Sequence, residues 1–188
     1  MANTATNVTV GKPNVSGAVY RAPLGTTLPT DATTALDAAF VSLGYVSEDG
    51  LSNNNELSVE ATKAWGGIIV LRSLTEMNDE FSLTLIETKN EDVLKAVYGD
   101  DNVTVDASGN ITVNVVAEDP EEAVWVFELA LRGGIAKRIV IPDGAITSRD
   151  EITYNDSDAV GYGITISAYP DTNSSTHKEY LEGSTVSI

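Results

Sequence analysis

Residues 124–131 read Val124-Trp125-Val126-Phe127-Glu128-Leu129-Ala130-Leu131, apolar on both faces apart from Glu128, and Gly133-Gly134 follow. Side chains alternate between the two faces of a strand, so such a run must be covered on both sides. It is therefore expected as a central strand, and the rest of the chain has to provide the cover. Phe81, Leu83 and Leu85 alternate with Ser82, Thr84 and Ile86, the period of a strand with one apolar face on a core. Val103 and Val105, then Ile111, Val113 and Val115, flank the turn-forming Asp106-Ala107-Ser108-Gly109-Asn110, which predicts a hairpin. Further strands are expected at residues 15–21, 136–142 and 161–169, the last placing Tyr162, Ile164, Ile166 and Ala168 on one face.

Two segments carry a helical period instead. Leu36, Ala39, Phe40 and Leu43 predict a short helix over 31–43, opened by Asp31 and Thr33 and closed by Gly44. Residues 90–99 are more complete: Asn90 as N-cap, Glu91 and Asp92 at the positive end of the dipole, a Val93, Leu94 and Val97 stripe, and Gly99 as the stop. The chain of 188 residues is long enough for one substantial core. The fold class expected is mainly β: an antiparallel β-sandwich, or curled sheet, with a flanking α-helix. Residues 1–14 are expected as an extended N-terminal arm, 15–170 as the sandwich, and 171–188 as a C-terminal tail to which the residues assign no role.

Charge narrows the function. Eleven basic residues stand against 28 acidic ones, a net charge of −17, with a sequence pI near 4.1. A sequence-general nucleic-acid binder needs a basic face to release counterions, so that class is excluded, and adhesion to an anionic membrane is disfavoured by the same sign. No cysteine is present, which removes disulfides, thiolate metal sites and Cys nucleophiles. The N-terminus has neither a basic n-region nor an apolar h-region, so synthesis and folding in the cytoplasm, away from any membrane, are expected.

Chemistry is hard to find. The single histidine, His177, lies among polar residues and is expected to be solvated; no Gly-x-Ser-x-Gly elbow accompanies it. A calcium loop beginning at Asp156 fails at Val160 and Ser167, and Gly161-Tyr162-Gly163 has Ile166 where a dinucleotide fingerprint needs its third glycine. No catalytic residue, metal or cofactor is expected, which favours a structural or interaction protein over an enzyme. Trp125 reads as core. Trp65, before Gly66-Gly67, reads as a core residue at a strand entrance in preference to an interface anchor.

An ordered series of segments resembles a known family. Ala61-Thr62-Lys63-Ala64-Trp65-Gly66-Gly67 with the strand after it, Phe81-Ser82-Leu83-Thr84-Leu85-Ile86-Glu87, and Asp92-Val93-Leu94-Lys95-Ala96-Val97-Tyr98-Gly99 are similar to the major tail tube proteins of long, flexible-tailed (siphovirus-type) bacteriophages. Val15-Ser16-Gly17-Ala18-Val19-Tyr20-Arg21-Ala22-Pro23 and Gly44-Tyr45 add to the likeness, which covers most of residues 8–170. The resemblance implies a virion structural protein, made in the host cytoplasm, whose hexameric rings stack into a hollow tube through which DNA passes into the host. It also implies tape-measure, tail tip and terminator proteins as partners. The alternative is a non-catalytic β-sandwich binding or adhesion module, against which stand an aromatic content of 6% and the failed calcium spacing.

Three expectations follow for assembly. Ser47, Glu48, Asp49, Gly50, Leu51, Ser52, Asn53, Asn54 and Asn55 form a polar, turn-rich stretch, expected as a loop that is mobile in the free subunit and ordered between rings, with Leu51 as its anchor. Carboxylates from several strands are expected to line the bore, the candidates being Asp100, Asp101, Asp106, Glu118 and Asp119. The strand around Phe81 to Glu87 is expected as an exposed edge that pairs with a neighbouring copy.

Overall fold

The computed structural model describes residues 8–14 and 18–182; the expectations for residues 1–7, 15–17 and 183–188 lie outside them. The described chain runs β1 (Gly11–Pro13), β2 (Val19–Pro23), β3 (Val41–Ser42), β4 (Ser52–Lys63), β5 (Ile69–Leu85), α1 (Glu91–Tyr98), β6 (Val103–Val105), β7 (Ile111–Val113), β8 (Glu122–Leu131), β9 (Ala136–Arg149), β10 (Tyr162–Ala168) and β11 (Lys178–Leu181). All strand pairings are antiparallel. One large sheet has the order β3-β2-β8-β9-β10-β5-β4, with β1 added to β8 and β11 to β9, and β6 and β7 form a separate hairpin.

The large sheet is curled. β5 and β8 are three places apart in the strand order, about 14 Å in a flat sheet at ~4.8 Å per strand, yet the Phe81 and Phe127 rings stack with centroids 5.6 Å apart. The sheet therefore folds over, and a single core fills the space between its halves: Phe81, Leu83 and Leu85 of β5, Trp125 and Phe127 of β8, Ile139 and Ile141 of β9, and Ile164 and Ile166 of β10. β9 carries the bend. Its first half pairs with β11 and its second with β10, and Pro142, which has no N–H to give to a ladder, lies between the two. The Trp125 indole donates to the Gly144 carbonyl at 2.9 Å, so the largest core side chain leaves no orphaned donor.

The expected central strand is β8, flanked by β2 and β9. Ala123, Trp125 and Phe127 point into the core, while Val124 and Val126 are buried outside that cluster. On this second face Glu128 opposes Arg138 of β9. The Arg138 side chain binds Glu128 and also donates to the carbonyls of Asp31 and Thr34, both at 2.9 Å. The segment expected as a helix over 31–43 is thus irregular, apart from β3. Asp31 Oδ1 accepts from the backbone N–H of Thr33 and Thr34 and Asp37 Oδ1 from that of Ala39, local bonds that compete with helix formation. Arg138 takes carbonyls that a helix would use.

α1 is as expected. Asn90 Oδ1 accepts from the Asp92 N–H, Gly99 ends the helix at a φ of 101°, and Val93, Leu94 and Val97 are buried against the core. Beyond the sandwich boundary expected at 170, β11 adds to β9.

Candidate assembly surface

β4 and β5 form a hairpin far longer than the turn and strand expected over residues 47–87. The two strands pair from Ser52↔Ser82 to Lys63↔Ile69, and only the last part of β5, from Asp79 on, joins the buried body. At ~3.3 Å per residue the 12 residues of β4 span about 40 Å, and the eight from Glu56 on project as an arm about 26 Å long. The tip is closed by Ala64 to Ile68, with Gly67 N–H donating to Ala64 O and Ala64 N–H to Ile68 O. Gly66 and Gly67 hold φ values of 100° and 88°, which side-chain-bearing residues rarely adopt.

Residues paired across a ladder share a face, so the register fixes what each side of the arm presents. One face carries Leu57, Val59 and Ala61 of β4 opposite Met77, Leu74 and Arg72 of β5, with Lys63 opposite Ile69 nearer the tip. Asn53, on that same face, opposes Phe81, so the apolar patch lies on the core side of the sheet, separated from the core by the polar pair Asn55 and Asp79. The opposite face carries Asn54, Glu56, Ser58 and Glu60 opposite Glu80, Asn78, Glu76 and Ser73, with Thr62 opposite Leu71 nearer the tip. Leu57, Val59, Ile69, Leu74 and Met77 are all exposed, and Trp65 at the tip is fully so. Trp65 is therefore not core, contrary to expectation: its glycines shape a turn at the end of the arm, far from any packed layer. The exposed apolar patch of Leu57, Val59, Leu74 and Met77, bounded by Asn55 and Asp79 on one side and by Arg72 and Lys63 on the other, marks an interaction surface.

The edge strand is also not the one expected. Around Phe81, β5 lies between β4 and β10 and has no free edge; along the arm, residues 69–79 pair with β4 alone. β4 is the outer strand, with no proline and with Glu56 and Glu60 as its central charges. Such an edge is open to pairing with another chain.

The arm is fixed at its root by Asp79, whose side chain is fully buried. It accepts from Asn53 Nδ2 at 2.8 Å, from Thr176 Oγ1 at 2.6 Å and lies 2.5 Å from His177 Nδ1. Burial is the largest influence on its carboxyl and pushes the pKa up, but the hydrogen bonds from Thr176, Asn53 and His177 with the nearby imidazole outweigh it and hold it below the usual value. His177 is largely buried and packs edge-on against Phe81. The histidine is thus a structural contact, where a solvated one was expected, because folding brings a partner 98 positions away.

The nine residues expected as one loop are divided. Ser52 to Asn55 belong to β4 and pair with residues 79–82. Residues 46–51 form a turn held to β5 by the Val46↔Leu85 bridge and the Ser47 N–H to Thr84 O bond, and Leu51 packs on its own core. Only Glu48, Asp49 and Gly50 are left as a projecting turn. Of the candidate bore carboxylates, Asp100 pairs with Arg21 at 2.7 Å and Glu118 accepts from Asn102. Asp106 accepts from Asn110 and Ser108 within the β6–β7 turn, which holds its carboxyl below the usual range. Asp101 and Asp119 are exposed. The arm residues were missed although a signal existed: Leu57, Val59 and Ala61 alternate with Glu56, Ser58, Glu60 and Thr62.

No curated protein matches the chain. A family model described as phage tail tube protein matches residues 1–185, nearly the full length, and a long amphipathic arm with an open edge is what a self-assembling structural subunit needs. The chain belongs to the phage tail tube protein family.

Proposed function

We propose that copies of this chain close into hexameric rings and that the rings stack into the hollow tail tube of a siphovirus-type virion, through which DNA passes. The observation that carries this reading is the arm, whose apolar face is left uncovered in a single subunit and whose outer strand has an open edge. Side-by-side copies bury that face and pair that edge. The acidic face of the arm, with Glu56, Glu60, Glu76 and Glu80, then turns to the bore, where like charge keeps a sliding polyanion off the wall. Asp101, Asp106 and Asp119 are further carboxylates for that surface. Asp100 and Glu118 are engaged by Arg21 and Asn102 in their own subunit. Residues 47–50 serve at the contact between rings. The subunit is made in the host cytoplasm, acts without catalysis, and meets tape-measure, tail tip and terminator proteins at the ends of the tube. Electron microscopy of the concentrated protein tests the reading. Striated hollow tubes with six-fold rings are the expected result, and a strict monomer at all concentrations would overturn it.

A further inference from the structure

We propose that the tip of the arm, with Trp65 foremost, docks into an apolar groove at the arm root of a second copy, so that each subunit carries both a knob and the hole that receives it. This rests on the self-assembly reading above and names the contact that would propagate it. The groove has a volume of about 520 Å³ and is walled by Pro13, Val19, Val46, Leu51 and Leu129, over core residues Leu83 and Phe127. That is within the ~300–1,000 Å³ of pockets that enclose large apolar groups. The knob is Trp65, with Ile68 and Ile69 behind it, all exposed.

Charge selects the partner. Residues 61–75 contain Lys63 and Arg72 and no acid, in a chain with 28 acids and 11 bases. The groove rim carries Glu48 and Asp49, both exposed, against the single base Lys12. A cationic tip and an acidic rim attract within an otherwise repulsive pair of surfaces. The subunit cannot fill its own groove. The hairpin is a two-stranded ladder, with bulges at Ser58–Val59 and Thr62–Lys63, rooted beside the groove at Ser52 and Ser82, and its 12-residue strand carries the tip up to about 40 Å away. A knob and hole on different parts of one surface form a heterologous contact, which propagates instead of closing on a dimer.

The chain has no cysteine, so two introduced thiols would be the only ones. Ala64→Cys at the tip and Asp49→Cys at the rim should give a ladder of covalent multimers when assembled tubes are treated with a short bis-maleimide, and neither single variant should give more than a dimer. Trp65→Ala should melt like the unmodified protein, since Trp65 touches nothing in the subunit, while tube growth falls by about tenfold or more. Glu48→Lys with Asp49→Lys should block growth, and adding Lys63→Glu with Arg72→Glu should restore it. Tubes that form without the ladder, Trp65→Ala tubes that grow at the normal rate, or a subunit repeat along the tube well above about 40 Å would each overturn the docking and leave the tube reading standing. Failure of the unmodified chain to form tubes would overturn both.

Discussion

Arg138 is 3% exposed yet carries a full charge, and its hydrogen bonds explain how a charged residue is tolerated between buried valines. Glu128 neutralises it, and the Asp31 and Thr34 carbonyls take two further donor positions. Removing one member of such a buried pair leaves the other uncompensated, which costs about 3–5 kcal/mol. Arg138→Met should therefore lower the urea midpoint steeply and also release the 31–40 segment, seen as faster hydrogen exchange there. Arg138→Met with Glu128→Leu should recover much of the loss, because no charge is then buried alone. Asp79 makes a pH-dependent contribution. Its folded pKa is below the unfolded value of about 3.9, so its stabilisation is present above that value and is lost as pH falls through the folded pKa. Asp79→Asn should cost about 1.5–3 kcal/mol at neutral pH, the worth of charge-assisted bonds. Its urea midpoint should also fall less than that of the unmodified protein between pH 4 and pH 2. Parallel curves for the two proteins would show that Asp79 does not carry this acid sensitivity.

At the scale of elements, the arm separates fold from assembly. Its apolar face supports nothing in the subunit beyond the ladder itself, so Leu57→Ser with Leu74→Ser should leave the monomer melt within about 2–4 °C of the original, as two surface substitutions of ~0.5 kcal/mol each do. Tube formation by light scattering should be lost. A melt lowered by much more would mean that the face packs on its own subunit. By contrast, Leu83→Pro puts a residue without an N–H into the β5–β10 ladder, opposite Ile164 and over the core, and should unfold the domain. The elements written most plainly in the residues were those with local causes. α1 has its cap, its charges, its stripe and its stop within ten residues, and β8 is an unbroken apolar run. Residues 31–43 have a helical spacing too, but the fate of that segment is set by Arg138, more than a hundred positions later. Trp65 and His177 were misread for the same reason. Whether a Trp beside two glycines is buried depends on the length of the hairpin around it, and whether a histidine is solvated depends on what β5 brings to it. The alternation at Glu56 to Thr62 does encode the arm, but an amphipathic strand reads alike whether its apolar face lies on its own core or on a neighbour's.

For the whole molecule the question is how subunits of charge −17 come together at all. The proposed contact opposes Lys63 and Arg72 to Glu48 and Asp49, two or so pairs at an exposed rim, each worth about 0–1 kcal/mol. Against this stands the repulsion of the remaining charge, spread over the subunit and acting at longer range. Range decides which dominates in salt. The Debye length falls from about 30 Å at 0.01 M to about 8 Å at 0.15 M, which removes most of the repulsion between subunits tens of ångströms across while pairs at contact distance lose less. Apolar burial of the arm face is hardly affected over the same interval. Tube growth should therefore speed up between 0.01 and 0.15 M salt, and it should do so with sodium or potassium alike, since the effect is screening and not the filling of a site. Light scattering of the unmodified protein across that series, with tube length checked by microscopy, measures it. Growth that slows steadily with salt would mean that ion pairs across the interface outweigh both the apolar face and the net charge. The acidic face of the arm would then have to lie against a basic partner surface, with the bore lined by something else.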